Sequence, residues 1–177
     1  MILYIVRHAI AEDPRCKADD ASRELTREGV EKMRKAAAGL RALDAVPDVM
    51  LTSPLVRARH TAEILIETFY RKPTLKQLTA LAPAGNRTAV YKAILDYDKA
   101  ESVMLVGHQP SLGEIAGEIA FGTVAAALDL KKGGACAIEI QKRAARPRGS
   151  LLWLATPAML RKLSAGKESG ARSQESE

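Results

Sequence analysis

The sequence predicts an α/β protein, a three-layer sandwich in which a mostly parallel central sheet lies between helices on both faces. Ile2–Val6, Asp48–Thr52 and Ser102–Val106 are short, largely apolar segments without polar alternation, which suits strands covered on both faces. Helical patterns separate these segments, as expected for parallel strands joined by crossover helices. A length of 177 residues fits a single domain.

The first predicted strand ends at Arg7–His8, two polar side chains with affinity for anions. The polar segment 9–22 contains a proline and has no sustained period, so it is predicted to be a long loop, which in a compact domain is usually functional. Thr26 is expected to be the N-cap of a helix that runs to about Leu43, with an apolar stripe at helical spacing.

The second predicted strand leads into Ser53–Pro54, expected to be the N-cap and the first residue of a helix to about Tyr70. Arg57 falls at the end of its first turn, near the positive end of the helix dipole. A cation there is disfavoured unless an anion offsets it, so Arg57 indicates an anion site. A short strand at 75–78, a loop and a helix from Asn86 to about Tyr97 are expected next.

The third predicted strand ends at Gly107–His108, and Ser111 with Glu114 is expected to form a capping box for the next helix. Segments 135–140 and 150–154 are predicted to form a β-hairpin around a basic connection. A last short helix should run from Pro157 to about Leu163. Residues 164–177 contain almost nothing apolar, so they are predicted to be a disordered tail following a domain of residues 1–163.

The amino-acid composition narrows the classes of partner that the protein can have. The net charge of +6 and a pI near 9.4 indicate an anionic partner. Aromatic residues are only 4% and do not interleave with basic ones, so nucleic acid is not expected. Because no signal peptide or membrane span is evident, the protein is expected to be cytoplasmic. Cys16 and Cys136 lack metal-ligand spacing and are expected to be plain thiols.

Parallel strands place their carboxyl ends at one edge of the sheet, where ligands bind in α/β proteins. Arg7, His8, Arg57 and His108 are therefore expected to meet and to surround a tetrahedral dianion such as phosphate. A neutral imidazole can act as a nucleophile toward phosphorus, which makes His8 a candidate. The sequence has no P-loop, no Asp-rich magnesium cluster and no His–Glu–x–x–His pattern, so neither metal nor cofactor is expected.

Four ordered motifs resemble the histidine phosphatase superfamily, at the spacings of its short, SixA-type phosphohistidine phosphatase branch. They are Val6–Ala9, Arg23–Gly29, Ser53–Ala62 and Val106–Pro110. The resemblance extends from Met1 to about Leu163 and implies a phosphoglycerate-mutase-like fold. It also implies a ping-pong mechanism, in which His8 takes up the phosphoryl group.

The resemblance assigns roles to the remaining site residues. Arg7, Arg57 and His108 would hold the phosphoryl oxygens, and Arg23 would be a substrate-binding fourth clamp. For Arg23, a solvated arginine in front of a helix is the alternative.

Two departures from the family pattern are visible. Ala9 replaces the usual glycine after the nucleophile, which requires only that the turn avoids positive φ. Larger members place a carboxylic acid in the region between the third and fourth of these motifs, but Leu78–Asn86 contains no Asp or Glu. An alkoxide leaving group needs such an acid, whereas the nitrogen of phosphohistidine can be protonated in the substrate. Glu12 or Asp13 in the predicted loop remains an alternative proton donor.

The leading hypothesis is a metal-independent phosphatase that removes phosphate from phosphohistidine of a signalling protein. The alternatives are a broad small-molecule phosphomonoesterase and a non-catalytic phosphate- or polyanion-binding module. The expected partner is a phosphohistidine-bearing protein or a small phosphorylated substrate, not nucleic acid or a membrane, and the chain is expected to be a monomer. Lys131–Lys132 and the basic stretch Arg143–Arg148 could help to hold an acidic protein.

Overall fold

The computed structural model describes residues 1–16, 19–141 and 146–172, without the side chains of Cys16 and of 166–172. Within these residues the chain forms six strands and five α-helices. The strands are Ile2–Arg7 (β1), Val49–Thr52 (β2), Thr74–Gln77 (β3), Ser102–Gly107 (β4), Ala135–Gln141 (β5) and Arg148–Ala155 (β6). The helices are Arg27–Ala42 (α1), Val56–Thr68 (α2), Arg87–Leu95 (α3), Ser111–Phe121 (α4) and Pro157–Arg172 (α5).

The six strands form one sheet in the order β3-β2-β4-β1-β5-β6. The first four strands of that order are parallel to one another, whereas β5 is antiparallel to both β1 and β6. This confirms the mostly parallel sheet and the β-hairpin at its end. Because Arg7 of β1 lies opposite Gly107 of β4, the residues that follow the two strands, His8 and His108, come to the same edge.

Helices cover both faces of the sheet, as predicted. Alternate residues of β1 point to opposite sides: Leu3 and Ile5 pack into a core with α3 and α4, whereas Val6 packs into a second core with α1, α2 and α5. All three side chains are fully buried. Strands buried on both faces do not alternate apolar with polar residues, which explains the uninterrupted apolar runs in the sequence.

The predicted starts of α1, α3 and α5 are confirmed, that of α2 is wrong, and the predicted cap of α4 does not form. Thr26 and Asn86 cap α1 and α3 through their side chains. Helix α2 begins at Val56, two residues later than expected, and Ser53 turns to His108 instead. At α4, the main-chain N–H of Glu114 donates to the main-chain oxygen of Pro110 at 3.0 Å and Ser111 lies inside the helix, so the predicted capping box of Ser111 and Glu114 does not form. Oε1 of Gln109 accepts the N–H of Gly113 at 2.7 Å. Glu114 instead forms an ion pair with Arg87, the first residue of the neighbouring helix α3.

Helix α5 continues to Arg172, beyond its predicted end near Leu163. Residues 164–172 of the predicted disordered tail are therefore helical. Residues 173–177 of the predicted tail lie outside the described residues. The same holds for residues 142–145 of the predicted basic connection.

Cys136 is a buried free cysteine, and burial raises the pKa of its thiol to about 12, as expected for an unreactive side chain in the core. Within the described ranges, no helix combines the length and the apolar character needed to span a bilayer.

Candidate active site

His8 lies directly after β1 and is 6% exposed. Its Nδ1 lies 2.7 Å from the main-chain oxygen of Ala9. A carbonyl oxygen can only accept, so Nδ1 carries the hydrogen and the neutral ring leaves the lone pair on Nε2 free. Burial lowers the pKa of His8 to about 3, and the positive charges of Arg57 and Arg7 act in the same direction. At neutral pH the ring is therefore uncharged and nucleophilic at Nε2.

His108 lies directly after β4, with its ring centroid 5.0 Å from that of His8. Burial, followed by the nearby charge of Arg57, lowers the pKa of His108 to about 4. Its Nε2 lies 2.8 Å from Oγ of Ser53, at the carboxyl end of β2. Its Nδ1 is buried and has no hydrogen-bond partner in the protein. Strands β1, β2 and β4 thus each contribute to one site.

Arg57, in the first turn of α2, is 3% exposed. Its Nη1 donates to the main-chain oxygen of Asp20 at 2.6 Å, and its Nη2 donates to Oδ2 of the same residue at 2.9 Å. This carboxylate is the anion that the position of Arg57 at the helix start indicates. On the other side of the site, Nη1 of Arg7 donates to the main-chain oxygen of Leu130 at 2.8 Å, and burial lowers the pKa of Arg7.

The site concentrates buried donors that lack partners. Among the described residues, buried side-chain atoms without a hydrogen-bond partner are Nε of Arg7, Nε of Arg57, Nε of Arg59 and Nδ1 of His108. Three of the four belong to the predicted phosphate clamp. Buried polar groups are normally paired, and each exception calls for an explanation. Donors around a neutral nucleophile suit an oxyanion, which offers acceptors on several sides.

Arg23, the predicted fourth clamp, is joined to the site through Asp20. Its Nε donates to Oδ1 of Asp20 at 2.8 Å, its Nη2 lies 2.7 Å from the same oxygen, and its Nη1 donates to the main-chain oxygen of Glu12 at 2.7 Å. The side chain is 12% exposed, so it is not the solvated arginine of the alternative interpretation. Its direct partner is a carboxylate of the chain.

Sequence reasoning missed Asp20, Thr61 and the second role of Ser53. Oγ1 of Thr61 accepts the N–H of Ala9 at 3.1 Å and donates to the main-chain oxygen of Arg57 at 2.7 Å, which ties α2 to the end of β1. A signal existed for Thr61, since it lies one helical turn after Arg57 inside the recognised motif. Nothing in the polar loop sequence distinguishes Asp20 from Asp13 or Asp19.

The two carboxylates suggested as proton donors have other partners. Asp13 forms an exposed ion pair with Arg15 at 2.6 Å, and the hydrogen bonds from Arg15 lower the pKa of Asp13 to about 2. Oε2 of Glu12 accepts the main-chain N–H of Glu24 at 3.0 Å. Asp13 is therefore ionised at neutral pH, and Glu12 acts as an acceptor that shapes the loop.

Next to Gln109, the residue after His108, a pocket of about 460 Å³ opens between the segment Pro83–Thr88 and the start of α4. The carboxylate of Glu114 lines this pocket and is paired with Arg87.

The backbone of Ala9 does not adopt the positive φ that glycine would allow, as predicted. Within the described residues, no group of three or more His, Cys, Asp or Glu side chains is arranged to hold a metal ion.

The fold, together with the site formed by Arg7, His8, Arg57 and His108, can be compared with known protein families. The family model of the histidine phosphatase superfamily (branch 1) matches residues 3–81. An uncharacterised protein of Picosynechococcus sp. (strain PCC 7002) is 41% identical over 136 residues, which covers 76% of this chain and 82% of that protein. The chain belongs to the histidine phosphatase superfamily.

Within the superfamily, the chain resembles SixA proteins. Phosphohistidine phosphatase SixA of Escherichia coli (strain K12) is 27% identical over 124 residues, covering 69% of this chain and 76% of that protein. The solved structure of a protein histidine phosphatase SixA complexed with tungstate has a TM-score of 0.80 at 22% identity and covers 89% and 98% of the two chains. A putative alpha-ribazole-5'-P phosphatase from E. coli K-12 has a TM-score of 0.71 at 18% identity, covering 89% and 97%.

Proposed function

We propose that this protein removes phosphate from phosphohistidine of a protein, through a covalent phosphohistidine intermediate on His8. The observation that carries the proposal is the neutral Nε2 of His8 beside three unpartnered buried donors, on Arg7, Arg57 and His108. Positive charge and donors alone would bind phosphate, but a free nucleophilic nitrogen is needed only for transfer.

In the first step, the substrate ring is protonated on the nitrogen that does not carry phosphorus. Nε2 of His8 attacks phosphorus, the P–N bond of the substrate breaks, and the substrate ring leaves as neutral imidazole, which keeps that proton. Arg7 and Arg57 offset the charge on the equatorial oxygens, where it accumulates in a loose transition state. Water then attacks the phosphorus on His8, which releases phosphate and restores the free ring. Each step conserves the phosphoryl group and needs no co-reactant other than water.

His108 can donate from Nδ1 to a phosphoryl oxygen only if its neutral ring accepts at Nε2. The hydroxyl of Ser53, 2.8 Å from that nitrogen, is the available donor. Oγ of Ser53 also accepts the main-chain N–H of Leu55 at 3.3 Å, so its own hydrogen is free for His108. Ser53 would thus set the tautomer of His108.

The substrate assignment rests on the leaving group. Asp13 is ionised, the backbone holds Glu12, and Leu78–Asn86 supplies no carboxyl group. General acid catalysis contributes roughly 10²–10⁴-fold where a leaving oxygen must be protonated. An imidazole that is protonated on its second nitrogen leaves as a neutral ring without that help.

Trapping with an acid-labile phosphodonor tests the covalent step. Rapid quench under alkaline conditions should give one phosphate per chain on wild-type protein and none on His8→Asn, with the adduct on His8 by mass spectrometry. Absence of any adduct during turnover would exclude the covalent mechanism, and absence of turnover with retained phosphate binding would favour the binding module.

A second experiment tests the substrate. Comparison of kcat/KM for a phosphohistidine peptide and for sugar phosphates, both with EDTA present, should favour the peptide by about 100-fold or more. A preference for sugar phosphates would favour the phosphomonoesterase, and loss of activity in EDTA would contradict metal independence.

A further inference from the structure

Asp20 lies between two arginines of the site. It begins the short 3-10 helix Asp20–Ser22; its carboxylate accepts from Arg57 through one oxygen and from Arg23 through the other. Its main-chain oxygen accepts a third bond, from Nη1 of Arg57. Burial raises the pKa of Asp20, but the hydrogen bonds from the two arginines outweigh this effect and lower the pKa below its ordinary value. The side chain is therefore an anion at neutral pH.

The contacts of Arg57 divide its guanidinium group into two edges. Asp20 takes one N–H from Nη1 and one from Nη2, which form the outer edge of the fork. The N–H on Nε is buried and has no partner. Because the guanidinium group is planar and rigid, holding its outer edge also fixes the direction of the Nε–H.

An anion between two arginines could act in either of two ways. It could occupy the place of the phosphate and compete with it, or it could hold the arginines while another face of Arg57 binds phosphate. Asp20 takes only two of the five N–H donors of Arg57, and the buried Nε–H has no partner in the protein, so phosphate can bind Arg57 without displacing Asp20. The main-chain bond from Arg57 to Asp20 also cannot be given up unless the whole turn moves.

The turn itself is braced against such movement. Oδ1 of Asp19 accepts the N–H of Ala21 at 3.0 Å, and the hydroxyl of Ser22 donates to the main-chain oxygen of Asp19 at 2.9 Å. Arg23 donates to Oδ1 of Asp20, the carboxylate oxygen that Arg57 does not contact, and also donates to the main-chain oxygen of Glu12. These contacts favour the second role, in which Asp20 holds the arginines, over the first, in which Asp20 competes with phosphate.

We propose that Asp20 is a positioning residue, which holds the outer edge of Arg57 so that its Nε–H is directed at the phosphoryl group, with Arg23 holding Asp20 in turn. The inference rests on the proposed function in one respect, namely that phosphate binds at the unpartnered donors beside His8. Arg23 thereby acts on the reaction through Asp20 and Arg57.

Asp20→Ala tests the proposal, with Asp19→Asn as the matched control. The control removes a negative charge one residue away but keeps a side-chain oxygen for the cap on Ala21. Misplacing a positioned group by about 1 Å costs roughly 100-fold, so Asp20→Ala should lower kcat by about 10- to 100-fold with a smaller change in KM. It should also weaken tungstate binding, measured by calorimetry, whereas Asp19→Asn should stay within about threefold of wild type on both readouts.

A double-mutant cycle tests whether Asp20 acts through Arg57. Once Arg57→Ala has removed the guanidinium group, adding Asp20→Ala should change kcat and tungstate affinity by less than about threefold. An undiminished effect in that background would overturn the proposal, and so would tighter tungstate binding by Asp20→Ala alone, which would identify a competing anion. Asp20→Asn keeps the side-chain shape and one acceptor oxygen, so it serves if the alanine variant does not fold, with an intermediate loss expected.

Tungstate affinity separates this inference from the proposed function, because it requires no turnover. If wild-type protein formed no adduct on His8 while Asp20→Ala still weakened tungstate binding through Arg57, the covalent mechanism would fail and the role of Asp20 would stand. If the adduct formed normally and Asp20→Ala left kcat and tungstate affinity unchanged, the role of Asp20 alone would fail.

Discussion

The burial of the two site histidines predicts that the protein loses stability as the pH falls from 7 to 5. His8 has a pKa of about 3 in the folded protein, against 6.5 for an ordinary histidine. The unfolded chain therefore binds a proton below pH 6.5 that the folded protein does not bind. Stability is fully present above pH 6.5 and falls with pH, by up to about 1.4 kcal/mol per pH unit for each such group.

At pH 5 the linkage relation gives a loss of about 2 kcal/mol for His8, and His108 contributes a similar amount. Urea unfolding of wild type and of His8→Asn, each between pH 7 and 5, isolates the contribution of His8. Between pH 7 and pH 5, the free energy of unfolding of the variant should fall by about 2 kcal/mol less than that of wild type. This difference does not depend on the stability of the variant at pH 7. The ion pair of Asp13, with its pKa of about 2, titrates below this window.

Parallel curves for wild type and His8→Asn would refute the reasoning. They would show that His8 titrates near its ordinary pKa in the folded protein. A substantial share of His8 would then be protonated at pH 6.5, and the argument for a neutral nucleophile would fail with it. His108→Asn, measured in the same way, tests the second histidine independently.

Three other substitutions test the supports of the site and of the fold. Ser53→Ala removes the hydroxyl beside Nε2 of His108 and should lower kcat/KM by about tenfold, with the loss of a single His108 tautomer visible in ¹⁵N NMR; an unchanged tautomer would contradict the role of Ser53. Thr61→Val removes the bond that ties α2 to Ala9 and the bond from Thr61 to the main-chain oxygen of Arg57 within α2, and should cost about 1–3 kcal/mol in urea unfolding; wild-type stability would show that the link is unimportant. Gly39→Ala would place a Cβ 2.0 Å from the main-chain oxygen of Leu160, so α1 and α5 must separate at a cost of about 1–3 kcal/mol, and an unchanged melting temperature would show that this contact adapts freely.

The central sheet could be predicted because its signal is local. Strands β1 and β4 are buried on both faces, so their residues form continuous apolar runs. Parallel pairing then places whatever follows each strand at one edge, which is why His8 and His108 could be brought together from sequence. The same argument brought Arg57 to the site, since α2 starts just after the end of β2.

The helix ends and the loop contacts could not be predicted, because tertiary partners decide them. Ser53 is a good N-cap by type, but the imidazole of His108 lies 2.8 Å from its hydroxyl. Glu114 has the spacing of a capping box, but its side chain forms an ion pair with Arg87 on α3. Asp20 acquires its partners only when the loop folds back on α2, a contact across 37 residues of sequence.

The charges around His8 determine which leaving group the site can handle. Asp20, the carboxylate bonded to Arg57, is held as an anion by two arginines, so it cannot donate a proton. In the proposed complex, the Nδ1–H of His108 is directed at a phosphoryl oxygen and is not available to the leaving atom. Under the proposed mechanism a leaving group must then carry its own proton, as a phosphohistidine ring protonated on its second nitrogen does and an alkyl phosphate does not. The ratio of kcat/KM for the two substrate classes therefore measures the missing acid, and it should approach the roughly 10²–10⁴-fold that general acid catalysis contributes where it is present.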